Sequence, residues 1–359
     1  MTPAAVPVGS TLVTVRDGST LVGERDPRVG ELEGRRVLVT GGSGFIGSHL
    51  TAALIDLGAD VHVLTSTVSS VYPHRLRPLR DRVTTHEGNF IDATAMKALV
   101  RDARPEIVFH LGAYTHVGKS WNRIDECIQA NIQGTVNLLQ ALDGTGYTRF
   151  LNTGTSEIYG DIDVPFEESK QPNPVSPYAV SKFAAEMYCR LGIDAKGWPI
   201  VRIRPFNAYG PGQTPDRVIP EIIVRALRGQ TLKMTAGKQT REFNYVTDLV
   251  DGFLLAAVVP DLEGELLNLG CGEEVSMADL ATTILELMGD PIEAQLGALP
   301  DRPIEIWRMY CDSTKARELL GWAPRHSLRD GLEATIAWYR QELEAHPDSP
   351  FIPGFDEGV

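Results

Sequence analysis

Apolar and polar residues alternate along this chain in two rhythms. Short, nearly continuous apolar runs read as buried strands: RRVLVTG (35–41), ADVHVLT (59–65), EIVFHLGA (106–113), RFLNTGTS (149–156) and PIVRIRPFN (199–207). Between them, FIGSHLTAALIDLG (45–58), DATAMKALVRD (92–102), IDECIQANIQGTVNLLQAL (124–142) and PYAVSKFAAEMYCRLG (177–192) place apolar residues at helical spacing. The first of these helices ends on a Gly, the residue suited to a left-handed C-cap. Strands that are apolar on both faces, alternating with helices, predict an α/β fold. It is a doubly wound parallel sheet with helices on both sides.

The rhythm changes after Asn207. The Gly- and Pro-rich stretch YGPGQTPDR (209–217) leads to a helix, VIPEIIVRALRG (218–229), and further short elements run to SLRDGLEATIAWYRQEL (327–343). The division expected is an extension over 1–33, a dinucleotide domain over 34–206 and a smaller α/β substrate-binding lobe over 207–345. A return to the large sheet is expected around 241–270, and a Pro-rich, loosely ordered tail over 346–359. Within the extension, two β-rich runs flank Asp17-Gly18, a hairpin signal.

Composition narrows the possibilities. With 43% hydrophobic and 23% charged residues the chain is an ordinary globular sequence. A net charge of -13 argues against a nucleic-acid or anionic-membrane surface. The cysteines Cys127, Cys189, Cys271 and Cys311 stand far apart, without metal-ligand spacing, so free thiols and no metal site are expected. No basic-then-apolar leader and no bilayer-length apolar run is present, and the expected compartment is the cytoplasm.

The strongest local signal is TGGSGFIG (40–47), which joins a strand to a helix. Glycines are needed here for the tight turn (Gly41), for approach of a pyrophosphate to the backbone (Gly44) and for close helix packing (Gly47), with Phe45 and Ile46 between the last two. In strand–turn–helix context this predicts a Rossmann-type dinucleotide site. The second strand ends in Thr65 and Ser66, where NAD sites usually carry an acidic residue for the ribose 2′-hydroxyl. No Arg is adjacent, the nearest downstream being Arg75 and Arg77. NAD and NADP both stay open, with NAD slightly favoured. Asn89 and Phe90 follow a strand, where they could border the adenine.

Tyr178-Ala-Val-Ser-Lys182 places a phenol and an ammonium on one helix face. A Tyr has an ordinary pKa of about 10 and is a poor base at neutral pH, but a neighbouring cation favours the phenolate. It can then take a proton from a substrate hydroxyl.

TGGSGFIG, HLGA, SEIYG, SPYAVSK and RPFNAYGPGQ, in this order and spacing, resemble the extended short-chain dehydrogenase/reductase family of nucleotide-sugar epimerases, dehydratases and decarboxylases. The resemblance covers roughly Arg35 to Gln341. It implies a nicotinamide cofactor reaching Leu111 in HLGA, and a third catalytic hydroxyl at Thr155. For a nucleotide-sugar substrate it implies Asn207, Arg217, Arg241 and Arg302 near the diphosphate, Arg241 foremost and Arg217 least, and His116 near the sugar. It further implies a homodimer through the helices around Ile124–Leu142 and Pro177–Leu191.

Ser156 and Glu157, which follow Thr155, bear on the reaction. A simple 4-epimerase needs no carboxylate there, whereas a 4,6-dehydratase needs a base for the carbon-5 proton. Glu157 is the base expected, with Ser156 relaying a proton or orienting the carbon-6 hydroxyl. Thr-Ser-Glu and QTREFNYVTDLVDGF also resemble nucleotide-glucuronate decarboxylases, but those carry an Arg-containing loop before the Tyr, where this chain has NPVSPY. RVIPEII and RPIEIWRMYCDSTKARELLGW are similar to 4,6-dehydratases of nucleotide-linked N-acetylglucosamine. The expected order is dehydratase, decarboxylase, epimerase. A rival of another class, a non-catalytic dinucleotide-binding sensor, would not need Thr155, Glu157, Tyr178 and Lys182 together.

Overall fold

The structure, a computed structural model, describes residues 25–65, 73–301 and 304–355. The hairpin expected around Asp17-Gly18, Ser66, and Arg302 lie outside the described residues.

The strands form a seven-stranded parallel sheet. In chain order they are β1 (Arg36–Thr40), β2 (Asp60–Thr65), β3 (Thr84–Glu87), β4 (Ile107–His110), β5 (Arg149–Thr153), β6 (Ile200–Pro205) and β7 (Leu266–Leu269). Their spatial order is β7-β6-β5-β4-β1-β2-β3. Val37, Leu38 and Val39 of β1 are fully buried because helices cover both faces. Helix α1 (Phe45–Asp56) leads from β1 to β2, and α2 (Ala93–Ala103) leads from β3 back across the sheet to β4. The winding direction reverses between β1 and β4, which opens a crevice at their carboxyl ends, where doubly wound sheets bind ligands. A sheet that is parallel throughout and covered by helices is the α/β architecture expected from the apolar runs.

The long amphipathic run after β4 is not one regular helix. It is α3 (Ile124–Cys127), a π-helical stretch over Ile128–Gln133, and α4 (Gly134–Leu142). Helix α5 (Pro177–Lys196) follows β5, with Ser176 capping its start through a bond from Ala179 N and Gly197 ending it at φ +66°.

Beyond β6, α6 (Val218–Arg228) packs with α8 (Met277–Met288) and α10 (Leu328–Ala345) around Ile222, Ile223, Leu280, Ile284, Leu332 and Ile336. This is a hydrophobic core separate from that of the sheet. Helix α7 (Val246–Val258) and β7 belong to the sheet's own core, and α9 (Thr314–Leu320) rests against them.

Both ends of the described chain are packed more firmly than composition alone suggests. Val29 and Leu32, in a 3-10 turn over Pro27–Leu32, are buried in the sheet's core against α7. Burial of side chains of this size contributes about 1.5–3 kcal/mol each, so the domain begins before Gly34. The tail, expected to be loosely ordered, is held as far as Phe355. Phe351 and Ile352 are buried, and Arg228 donates to the carbonyls of Pro347 and Ile352 at 2.9 and 2.7 Å. Its prolines break helix geometry without preventing aromatic and aliphatic burial.

Candidate active site

The turn between β1 and α1 is shaped by close approach. Gly41 has φ +70°, and a Cβ there would lie 2.7 Å from Gly112 N, the amide just beyond β4. A Cβ on Gly47 would lie 2.1 Å from Gly41 O. Gly44 N donates to Gly41 O at 2.8 Å, and α1 starts at Gly44 with no side-chain cap. A helix N-terminus whose first amides bond no side chain among the described residues, behind a turn with no room for a Cβ, fits the pyrophosphate of a dinucleotide. Gly47→Ala would drive a methyl into the Gly41 carbonyl. We expect it to lower stability by about 1–3 kcal/mol in denaturant melts and to abolish dinucleotide binding in a titration. Unchanged binding would remove the turn from the site.

A buried polar chain fixes the crevice behind this turn. Thr135 Oγ1 donates to Asn131 O at 2.7 Å, so its oxygen is left to accept from His110 Nε2 at 2.9 Å. The proton therefore sits on Nε2, and Nδ1 accepts from Thr40 Oγ1 at 2.7 Å. Thr40 Oγ1 in turn accepts from Gly112 N at 3.1 Å. Burial, with the Lys182 charge, pushes His110 down to about 3, so the ring is neutral and serves geometry. Leu111 N donates to Thr40 O at 3.1 Å, which keeps Leu111 beside the glycine turn.

Asn131, in the π-helical stretch, joins this chain to the helix that carries Tyr178 and Lys182. It accepts from Tyr114 N at 2.8 Å, and its Nδ2 donates to Tyr114 O at 3.2 Å and to Ser181 Oγ at 2.9 Å. Ser181 Oγ donates to Tyr178 O at 2.8 Å. The sequence reading missed Asn131. Its signal was a polar residue on the buried face of an amphipathic helix, a face it shares with Thr135 and Asn137.

Tyr178 and Lys182 are both buried, and the Thr155 hydroxyl lowers the pKa of the Tyr178 phenol. Thr155 also accepts from Glu157 N at 3.3 Å, opening a short 3-10 turn over Ser156–Ile158. Burial pushes Tyr178 up to about 12. The Thr155 hydroxyl and the Arg217 charge pull it down, while the Glu157 charge raises it further. The Lys182 charge, expected to depress the phenol, is not among the causes of this shift, which burial dominates. Burial also pushes Lys182 down to about 8, against the charges of Cys189 and Glu186. The Glu157 and Arg217 charges both act on the phenol.

The remaining expected site residues divide. Ser156 Oγ donates to Met309 Sδ at 3.4 Å, and Asn207 Nδ2 reaches the same sulfur at 3.8 Å and Glu242 O at 3.2 Å. Ser156 and Asn207 therefore meet across Met309, a residue absent from the sequence reading. His116 and Arg217 also come together. His116 Nε2 lies 2.9 Å from Asp216 Oδ2, and Arg217 donates to Thr115 O at 3.2 Å. Burial, with the Arg217 charge, lowers the His116 pKa.

Arg241 is committed elsewhere. It pairs with Glu305 at 2.7 Å and donates to the carbonyls of Thr240 and Ile306 at 2.8 and 2.6 Å. Arg217, ranked least for the diphosphate, is thus the one whose charge reaches the catalytic phenol. At the other end, Thr65 closes β2 with its hydroxyl on His86 O at 3.4 Å. Asn89 caps its own turn through Ile91 N at 3.1 Å. Phe90 packs edge-on to His110 and against Gly134, where a Cβ would come within 2.0 Å of its ring.

Comparison with known proteins agrees with this geometry. Residues 38–335 match the family model described as GDP-mannose 4,6 dehydratase. The chain is 32% identical over 321 residues to the human dTDP-D-glucose 4,6-dehydratase, covering 86% of this chain and 91% of that one. An epimerase from Methanothermobacter thermautotrophicus superimposes with a TM-score of 0.84 at 32% identity, covering 90% of this chain and 97% of that one. The dTDP-glucose 4,6-dehydratase of Streptomyces venezuelae, solved with NAD bound, superimposes with a TM-score of 0.80 at 31% identity, covering 87% and 99%. The glycine turn, the Tyr178–Lys182 helix and these matches make the chain a member of the extended short-chain dehydrogenase/reductase family, among its NAD-dependent epimerases and dehydratases.

Proposed function

We propose that the protein is a nucleotide-sugar 4,6-dehydratase, a lyase that converts a nucleotide-linked hexose to its 4-keto-6-deoxy form. The observation that carries this reading is Glu157, whose carboxylate follows Thr155 in the same short turn and whose charge acts on the Tyr178 phenol. The residues suited to hold the dinucleotide are Gly41, Gly44 and Gly47 with the first amides of α1. NAD is favoured over NADP, in line with the NAD in the Streptomyces relative. Bound there, a nicotinamide would supply reversible two-electron acceptance.

The chain's own residues handle the protons. Tyr178 takes the proton of the 4-hydroxyl, positioned by Thr155 and assisted by the Lys182 charge. The ketone at carbon 4 acidifies the carbon-5 hydrogen, and Glu157 removes it. The carbon-6 hydroxyl then leaves as water with one of the two protons collected, while Ser156 orients it. The other proton returns to carbon 5. Asn207 and Arg217 hold the diphosphate side of the substrate, and His116 borders the sugar.

A mass-spectrometric screen of UDP-, GDP-, dTDP- and CDP-linked hexoses, N-acetylhexosamines and glucuronate tests the proposal. Loss of one water from a hexose is the expected result. Loss of carbon dioxide from the glucuronate would replace the reading by a decarboxylase. Unchanged mass with inverted carbon 4 would replace it by the epimerase, the activity named for the Methanothermobacter relative. Cofactor binding without turnover would favour the sensor.

The cytoplasmic assignment stays part of this proposal. Among the described residues no helix is long and apolar enough to cross a membrane.

The working unit we propose is a homodimer. Trp121, Ile124 and Ile128 on one helical run, and Val180, Met187 and Leu191 along α5, are large apolar side chains left exposed, Leu191 at 59%. The two runs lie side by side, so they form one apolar face that a second copy of itself would cover. Ile128→Glu with Leu191→Glu should shift the protein from dimer to monomer in sedimentation velocity. A wild-type monomer would overturn this part.

A further inference from the structure

The loop Gly210–Gln213 is held in an unusual way. Gly210 and Gly212 have φ +149° and +77°, and Pro211 lacks an N–H, so the loop joins no extended ladder. Instead, the carbonyls of three consecutive residues each accept from a buried side chain of a different element. His49, on α1, meets Pro211 O at 2.9 Å through Nε2, and facing a carbonyl that nitrogen must carry the proton. Arg75 Nε donates to Gly212 O at 2.8 Å. Tyr339, on α10, donates its hydroxyl to Gln213 O. His49, Arg75 and Tyr339 are all nearly inaccessible to solvent.

The elements joined belong to the two hydrophobic cores, α1 to that of the sheet and α10 to the other. His49 sits in the first turns of the helix that begins at the glycine turn. Arg75 reaches the glycine turn itself, with its second nitrogen 3.5 Å from Ser43 O, and its guanidinium lies over the Phe351 ring at 5.2 Å. The same loop continues at one end to Asn207, beside Met309 and Ser156, and at the other to Arg217, whose charge acts on Tyr178. One guanidinium thus touches the backbone of both the turn suited to the dinucleotide and the loop suited to the nucleotide sugar.

We propose that Arg75, with His49 and Tyr339 bracing the neighbouring carbonyls, is a positioning residue that couples the two ligand sites, so that each ligand tightens the other. The proposal rests on the reading of these sites as dinucleotide and nucleotide-sugar sites. The physical basis is shared ordering. A ligand that fixes the segment from Asn207 to Arg217 fixes the plane of the Gly212 carbonyl, and with it Arg75 and the Ser43 carbonyl. The second ligand then orders less backbone, and linkage makes the effect reciprocal.

Isothermal titration calorimetry tests this with NAD, and with UDP and dTDP as probes of the nucleotide-sugar site. NAD is titrated with and without saturating nucleoside diphosphate, and the reverse. In the wild type each ligand should tighten the other by about 5-fold or more, the lower end of typical coupling. Arg75→Lys keeps the charge, but one nitrogen cannot reproduce a planar fork between two carbonyls. Its coupling factor should fall towards one while both ligands still bind. His49→Gln, which keeps a donor for Pro211 O, should retain most of the coupling and shows that a lesion in this region does not erase it by default. A purely structural Arg75 would instead lower the melting temperature and weaken both affinities together, leaving their ratio intact, and that result would overturn the proposal. So would independent binding in the wild type. Failure of both ligands to bind the wild type would overturn the site assignment itself, and the proposal with it.

Discussion

Glu157→Gln should stop water loss while sparing the first oxidation. Removing a positioned general base typically costs 10²–10⁴-fold, so about that loss is expected in the rate of 4-keto-6-deoxy product formation. The amide keeps the size and most hydrogen-bonding capacity of the carboxylate but cannot take up the carbon-5 proton. Thr155 and Tyr178 are untouched by the substitution, so oxidation at carbon 4 remains possible. It should be visible in stopped flow as reduced nicotinamide absorbance that builds up and does not decay. A second effect has the opposite sign. The Glu157 charge raises the Tyr178 phenol, and deleting it lets the phenol ionise more easily, so the oxidation step should be no slower than in the wild type. A variant that loses water at the wild-type rate removes Glu157 from the reaction. One that keeps full turnover while inverting carbon 4 points to an epimerase, which needs no such base.

The sheet was legible in the chain because its strands are buried on both faces. Residues such as Val37, Leu38 and Val39 must be apolar regardless of what packs on them. The glycine turn was legible for a related reason: only glycine fits where a Cβ would lie 2.1 Å from Gly41 O. Tyr178 and Lys182 were legible because helical spacing alone puts them on one face. What local pattern could not carry is pairing across long sequence separations. Arg241 was the arginine favoured for a diphosphate, and its partner Glu305 is 64 residues away. Arg75 stood out only as the nearest Arg downstream of β2, and its partner Gly212 is 137 residues away. The π-helical stretch around Asn131 is hidden for another reason. Its composition is that of an ordinary amphipathic helix, and the change in winding shows only in backbone geometry.

Tyr178→Phe should remove every step, which distinguishes it from Glu157→Gln. The phenol is the group that the Thr155 hydroxyl and the Glu157 and Arg217 charges act on, and it is buried. Without its oxygen nothing at that position can accept the proton of the 4-hydroxyl. Carbon-4 oxidation should fall by about 10²–10⁴-fold, and no reduced nicotinamide should accumulate at any pH. The fold should persist, because the ring stays in place and Ser181 bonds the Tyr178 carbonyl rather than its hydroxyl. The cost is small, because the Thr155 hydroxyl still accepts from Glu157 N at 3.3 Å, so a stability change within about 1–2 kcal/mol is expected. Nucleoside diphosphate affinity should change little, since Asn207 and Arg217 lie on another loop. If the variant instead reduced nicotinamide normally and failed only at water loss, the proton would have to be taken by a different group. Lys182, pushed down to about 8 by its burial, would be the residue to substitute next.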